Sequence, residues 1–312
     1  MKKKSIPVLV SARSLAPTRI ERNPFSGAAR LRTHFEQTFR NPQRATPDRF
    51  CWDYWTIPGQ YRLLRTPASS FFPDSLYQPF LAELLSWGRN QLGCQMISHP
   101  WLSAYVDGCH QNLHSDVPHG PFSFVYSLTP WKSRTFSGGE TLIAKPELLR
   151  YFSELRHDRS HEEADFIKTI PQPLGQLTVF DPRYPHGVRA VQGVDSILDS
   201  RLVIHGWFTE PRPMLEGALT FKKILKPMDA WAHALLGEIA GGTTHSGLLS
   251  LRLHVAESGE VSKIAVLAAH LPDANGRLLS AGALRALLPA EKPRFPRARG
   301  KSVLTLPLLI QR

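Results

Sequence analysis

The spacing of apolar and polar positions divides the 312 residues into three stretches of different character. Up to about residue 70 apolar residues follow no sustained period, and arginine, proline and aromatic side chains recur through turn-prone text. One short helix is predicted there, Ala28–Phe39. Next, Leu76, Phe80, Leu81, Leu84 and Leu85 fall at helical spacing behind Pro73-Asp74-Ser75, which predicts an amphipathic helix over 75–92. From Met96 the period shortens to that of strands. Phe122–Leu128, Glu140–Ile143, Leu177–Phe180 and Arg201–Phe208 are short, rich in β-branched or aromatic residues, and bounded by Gly or Pro. Residues 146–168 read as a charged helical insert. Beyond Pro211-Arg212-Pro213 the expectation is a helix over 227–236, alternating segments 248–255 and 261–268 joined by a Gly-bearing turn, a helix over 280–288 and a strand over 303–309.

This pattern predicts a mainly β protein with flanking helices. A sandwich or jelly roll is favoured over a parallel sheet, with a small C-terminal α+β module. The expected domains are an Arg- and aromatic-rich segment 1–70 packing on the core, a core over 71–215 and the module over 216–312. Three scattered cysteines (Cys51, Cys94, Cys109) exclude a disulfide framework and suit a reducing compartment. No apolar run approaches the ~20 residues a bilayer span needs. Lys2–Lys4 followed by Ile6–Val10 imitates a signal peptide, but Pro7 and Arg13 interrupt it, so the location is expected to be cytoplasmic.

Charge changes the picture only at the flanks. The formal net charge is +12, yet residues 71–216 hold 12 basic against 16 acidic side chains, while 1–70 hold 13 against 4 and 217–312 hold 13 against 6. A nucleic-acid enzyme more often carries basic surface around its site as well. Nucleic acid is therefore the less favoured partner.

Chemistry concentrates between Tyr105 and Phe208. Residues two apart on a strand share a face, so His114 and Asp116 can point together into a barrel interior, and His186 at a distant strand end can close the set. Two histidines and one carboxylate leave open positions on a metal, which suits non-haem Fe(II), whereas a structural zinc site would be filled. A guanidinium on a strand, Arg201, needs a fork-shaped anionic partner such as a carboxylate. An open iron site beside a carboxylate clamp is what a 2-oxoacid cosubstrate requires.

The ordered text Tyr105-Val106-Asp107-Gly108, His114-Ser115-Asp116, Gly138-Gly139-Glu140-Thr141, His186 and Arg201-Leu202-Val203-Ile204-His205-Gly206-Trp207-Phe208 resembles the Fe(II)/2-oxoglutarate-dependent oxygenases, in particular their prolyl-hydroxylase-like branch. The resemblance implies a double-stranded β-helix, with His114, Asp116 and His186 as catalytic iron ligands. It also implies 2-oxoglutarate on Arg201, Tyr105 as a second cofactor contact, and consumption of O2. Related halogenases have a small residue at the position of Asp116, so hydroxylation of an unactivated C–H, with release of succinate and CO2, is the expected outcome. The expected substrate is a protein or peptide residue or an amino acid. Residues from about 246 onward resemble the C-terminal domain of TonB-type proteins, which would imply protein contact through a strand edge. Two rivals remain: a nucleic-acid oxidative demethylase, and a catalytically silent jelly-roll binding module.

Other side chains compete for attention. His110 lies four residues before His114. His119 could line the substrate entrance or stand in for His114, and His205 shares the register of Arg201. Trp52, Tyr54, Trp55 and Tyr61 are expected to pack against the barrel more than to pave a groove.

Overall fold

The computed structural model describes residues 7–43, 46–49, 51–117, 119–150, 160–242, 245–273 and 276–310. The chain forms two compact units, one built from 18–86 and 96–209, the other from 1–17, 87–95 and 210–312.

The first unit is organised by a curled antiparallel sheet flanked by helices, consistent with a jelly roll. In order across it run Ile167–Ile170, Thr141–Ala144, His186–Val188, His110–His114, Tyr61–Pro67, Trp101–Tyr105, Arg201–Pro211, Phe122–Ser127, Gln176–Phe180 and Thr18–Arg22. Asp53–Ile57 pairs with Tyr61–Pro67. The central strands bury nearly every residue on both faces, as the apolar text of Phe122–Ser127 and Gln176–Phe180 demands. Helix Ala28–Arg40 buries Leu31, Phe35 and Thr38, one stripe at helical spacing. Phe35 and Phe39 meet Trp52 and Phe71 in an aromatic cluster with ring centroids 4.9–6.2 Å apart.

In the second unit Gly247–Val255 and Val261–His270 form the expected hairpin. The sheet order is Val8–Leu9, Val261–His270, Gly247–Val255, Ser302–Ile310 and Met214–Gly217. Ile224, Leu235 and Ile239 of helix Phe221–Gly242 join a core with Leu249, Leu251, Leu253, Leu304 and Leu306. Among the described residues no helix is long and apolar enough to cross a membrane.

Three expectations change. Residues 18–22, 53–57 and 61–67, read as irregular arm, are strands of the large sheet, with Leu177 opposite Glu21 and Ala104 opposite Leu64. Their alternation escapes a hydrophobicity pattern because several inward side chains are Arg, Tyr or Trp. The insert expected to be helical holds only the short helices Glu147–Arg150 and Glu163–Phe166 before strand Ile167–Ile170, and 151–159 lie outside the described residues. The helix expected over 227–236 begins six residues earlier, at Phe221, because Ile224 is anchored in the core at 0% exposure.

Candidate metal centre

Strand pairing assembles the site. His186, the first residue of its short strand, sits opposite His114, the last residue of His110–His114. Gly187 makes that approach possible, since a Cβ there would lie 2.5 Å from the Gln111 carbonyl oxygen. Asp116 follows one residue beyond Ser115, whose hydroxyl donates to the Arg183 carbonyl at 3.2 Å. The loop leading to His186 is fixed by the buried Asp181, which accepts from Arg183 Nε at 3.0 Å and Nη2 at 2.6 Å.

One ligand-capable atom from each of His114, Asp116 and His186 lies within 4.8 Å of the others. Asp116 Oδ2 is 3.2 Å from His186 Nε2, and Oδ1 is 3.5 Å from His114 Nε2. Each imidazole Nδ1 faces a backbone carbonyl: His114 toward Asn112 at 2.8 Å, His186 toward Tyr184 at 3.0 Å. Nδ1–H donation to those carbonyls leaves both Nε2 lone pairs aimed at the common point, the arrangement that orients metal-binding histidines. Burial by itself would raise the pKa of Asp116. The His186 hydrogen bond and the charges of His186 and His114 outweigh it, so the carboxyl titrates below its ordinary range.

The triad opens on a cavity of about 500 Å³, within the range of small-molecule sites. Arg201 reaches this cavity from the sheet floor, opposite Tyr105 in register and 4.5 Å from its ring centroid. It is 1% exposed. Its Nη2 donates to Thr141 Oγ1 at 3.2 Å, while Nε and Nη1 have no hydrogen-bond partner in the protein. Burial pulls its pKa down against the opposing influence of Tyr105 and Glu140. Tyr105 is pushed up to about 12 by burial, with Arg201 opposing, and its hydroxyl donates to Gln111 Oε1 at 2.8 Å. The donor set of two imidazoles and one carboxylate fits Fe(II) with open positions. The unpaired edge of a dry guanidinium fits a carboxylate.

Residues 100–209 match the sequence model of the 2OG-Fe(II) oxygenase superfamily. This segment is an oxygenase domain. Among solved structures, the chain resembles a prolyl-4-hydroxylase from Pseudomonas putida at 16% identity, covering 62% of this chain and 92% of that one with a TM-score of 0.41. A Trichoplax adhaerens prolyl hydroxylase, in complex with a hypoxia inducible factor oxygen degradation domain peptide fragment, is 17% identical over 62% and 83%, with a TM-score of 0.40. HygX from Streptomyces hygroscopicus, with nickel and 2-oxoglutarate bound, is 13% identical over 63% and 86%, with a TM-score of 0.40. No curated protein matches the chain. The cofactors of the oxygenase domain are Fe(II), 2-oxoglutarate and O2.

Every residue singled out for the site in the sequence meets in this cavity, but the competitors divide. His110 stays outside the ligand cluster, its Nδ1 facing the Gly108 carbonyl at 3.0 Å. His119 lines the cavity and lies against Trp207, ring centroids 4.6 Å apart and planes tilted by 31°, without joining the triad. His205 lines the cavity too, 2.8 Å from Ser103 Oγ, and burial with Arg201 and Arg65 nearby lowers its pKa to about 4. Of the four aromatics, Trp52 packs in the core, Tyr54 is 58% exposed, and Trp55 and Tyr61 line the cavity. Arg65 and Trp101 also line it and went unnoticed in the sequence, where only strand register could have found them; Thr141, the last residue of the Gly138–Thr141 motif, lines it as well.

Proposed function

We propose that the domain hydroxylates an unactivated C–H of a protein or peptide residue or an amino acid, releasing succinate and CO2. In this reading His114, Asp116 and His186 hold the iron, and Arg201 binds the 2-oxoglutarate carboxylate farthest from it. The observation that carries the proposal is the pairing, in one cavity, of a convergent His–Asp–His set with a fully buried guanidinium whose Nε and Nη1 lack partners. When bound, Fe(II) and 2-oxoglutarate supply the O2-dependent oxidising chemistry.

The protein's own contributions follow from its geometry. The carbonyls of Asn112 and Tyr184 hold both imidazoles in the tautomer that presents Nε2. Asp116, whose carboxyl titrates below its ordinary range, would supply the carboxylate ligand to the metal. Arg201 offers planar, buried N–H donors, two of them without a protein partner, to an arriving carboxylate. Tyr105 covers the guanidinium face, and Thr141 fixes one Nη in the plane. Val203, Phe180 and Trp207 wall the cavity with apolar surface that keeps the reacting end dry.

The test is an anaerobic titration of metal-free protein with Fe(II) and 2-oxoglutarate, following the visible charge-transfer band of the chelate. The band is expected in the wild type and absent from His186→Ala and His114→Ala. A folded, iron-loaded wild type without a band refutes the assignment.

A further inference from the structure

The cavity holds a second guanidinium, which the cofactor reading leaves unused. Arg65 lies on strand Tyr61–Pro67 with its Cζ 3.3 Å from the centroid of the Trp55 ring and 4.0 Å from that of Trp101. Arg65 is opposite Ser103 in register, and Ser103 is opposite Val203, two residues from Arg201. Directly opposed residues share a face, so Arg65 and Arg201 rise from the same floor. Two strand spacings and two residues along a strand separate them by about 12 Å between Cα atoms. One small carboxylate cannot engage both.

Stacking occupies only the two faces of the Arg65 guanidinium. Its N–H groups point outward in the plane between the indoles. Nε is buried without a hydrogen-bond partner, and among the described residues Arg65 forms no hydrogen bond or ion pair with a protein acceptor. Burial lowers its pKa, with Tyr61 and then Asp53, its register partner, opposing. Two indoles that cover the faces and fix the plane leave a fork whose geometry matches a planar carboxylate. A phosphate dianion would call for a further cation, and Arg201, the other guanidinium lining the cavity, lies about 12 Å away. His205, with its pKa lowered to about 4, stays neutral beside the fork and adds no second charge.

We propose that Arg65, held flat between Trp55 and Trp101, binds a carboxylate of the oxidised substrate. The substrate class is thereby narrowed to organic acids, such as a free amino acid, a peptide C-terminus or an acidic side chain. Trp55 and Trp101 are positioning residues for that guanidinium. The inference deepens the hydroxylase reading by naming a feature of its substrate, and it rests on that reading for the word substrate alone.

The experiment titrates the metal-free protein by calorimetry with N-acetyl-L-amino acids and with the corresponding C-terminal amides, so that each pair differs only in the carboxylate. At least one acid is expected to bind about 10- to 100-fold more tightly than its amide, the range for charge-assisted hydrogen bonds. Arg65→Gln is expected to erase that preference, Arg65→Lys to retain part of it, and Arg201→Met to leave it standing. The proposal is overturned if no acid outbinds its amide, if the preference survives Arg65→Gln, or if Arg201→Met removes it instead. Should Arg65→Gln fail to fold, Arg65→Lys decides, because full wild-type affinity in it excludes a fork-dependent contact. The visible chelate band, measured on wild type and Arg65→Gln, separates the two readings. Acid binding without a band in the wild type refutes the oxygenase assignment only, and a band without acid preference refutes the role of Arg65 only.

Discussion

Replacing Arg201 by methionine should weaken cosubstrate binding strongly and change protein stability little. The side chain is 1% exposed, and its protein contacts are one hydrogen bond to Thr141 and the Tyr105 ring. Those contribute about 3.5–5 kcal/mol together, from roughly 1.5–3 for a charged hydrogen bond and about 2 for a desolvated cation–π contact. Removing the guanidinium from water costs several kcal/mol, a penalty the folded protein carries before any ligand arrives. The two sides nearly cancel, so Arg201→Met should alter the stability of the metal-free protein by less than about 2 kcal/mol. Losing one partner of a buried charge pair costs about 2–5 kcal/mol in binding, so the 2-oxoglutarate Kd should rise at least ~30-fold. Thermal unfolding with and without cosubstrate reads both quantities. At 100 times the wild-type Kd the cosubstrate stabilises the wild type by about 2.7 kcal/mol, and that increment should fall to about 0.9 kcal/mol or less in the variant. A variant that loses more than about 3 kcal/mol of stability yet keeps the full cosubstrate increment refutes the reasoning, because Arg201 would then be a structural residue.

Two further outcomes follow from the same structure. Gly138 has φ +76°, and a Cβ there would lie 1.8 Å from the Ala190 carbonyl oxygen, whereas Gly193, at φ +84°, has nothing within 4 Å. Gly193→Ala should therefore cost only the left-handed strain of about 1–2 kcal/mol, and Gly138→Ala at least about 2 kcal/mol more in denaturant unfolding; equal losses would show that the close approach is unimportant. His205 titrates at about 4 in the folded protein and near 6.5 when unfolded, so the unfolded chain binds the extra proton first. Its contribution is fully present above pH ~6.5 and is lost as pH falls toward 4, by about 3 kcal/mol at most. His205→Gln should flatten the stability profile across that window, and an unchanged slope would place the proton uptake elsewhere.

The sequence determined the ligand chemistry and the strands that carry it. His114 and Asp116 are two apart, His186 follows the strand text of Leu177–Phe180 at a strand end, and Arg201 sits in strand text whose β-branched and aromatic content dictates burial. The C-terminal hairpin and its flanking helix were equally legible, because there one face of each element is apolar and the alternation survives in the text. What the sequence withheld is the end of the cavity lined by Trp55, Tyr61 and Arg65. Strands 53–57 and 61–67 direct Trp55, Tyr61 and Arg65 inward, and an inward arginine breaks the apolar alternation by which a strand is recognised. Register alone brings Arg65 opposite Ser103, and so onto the floor that holds Arg201. Pairing between strands nearly forty residues apart is settled by tertiary packing, since no local preference encodes which strand will lie beside which. The same packing turned Gly187 from a loop residue into the gap through which His186 meets His114.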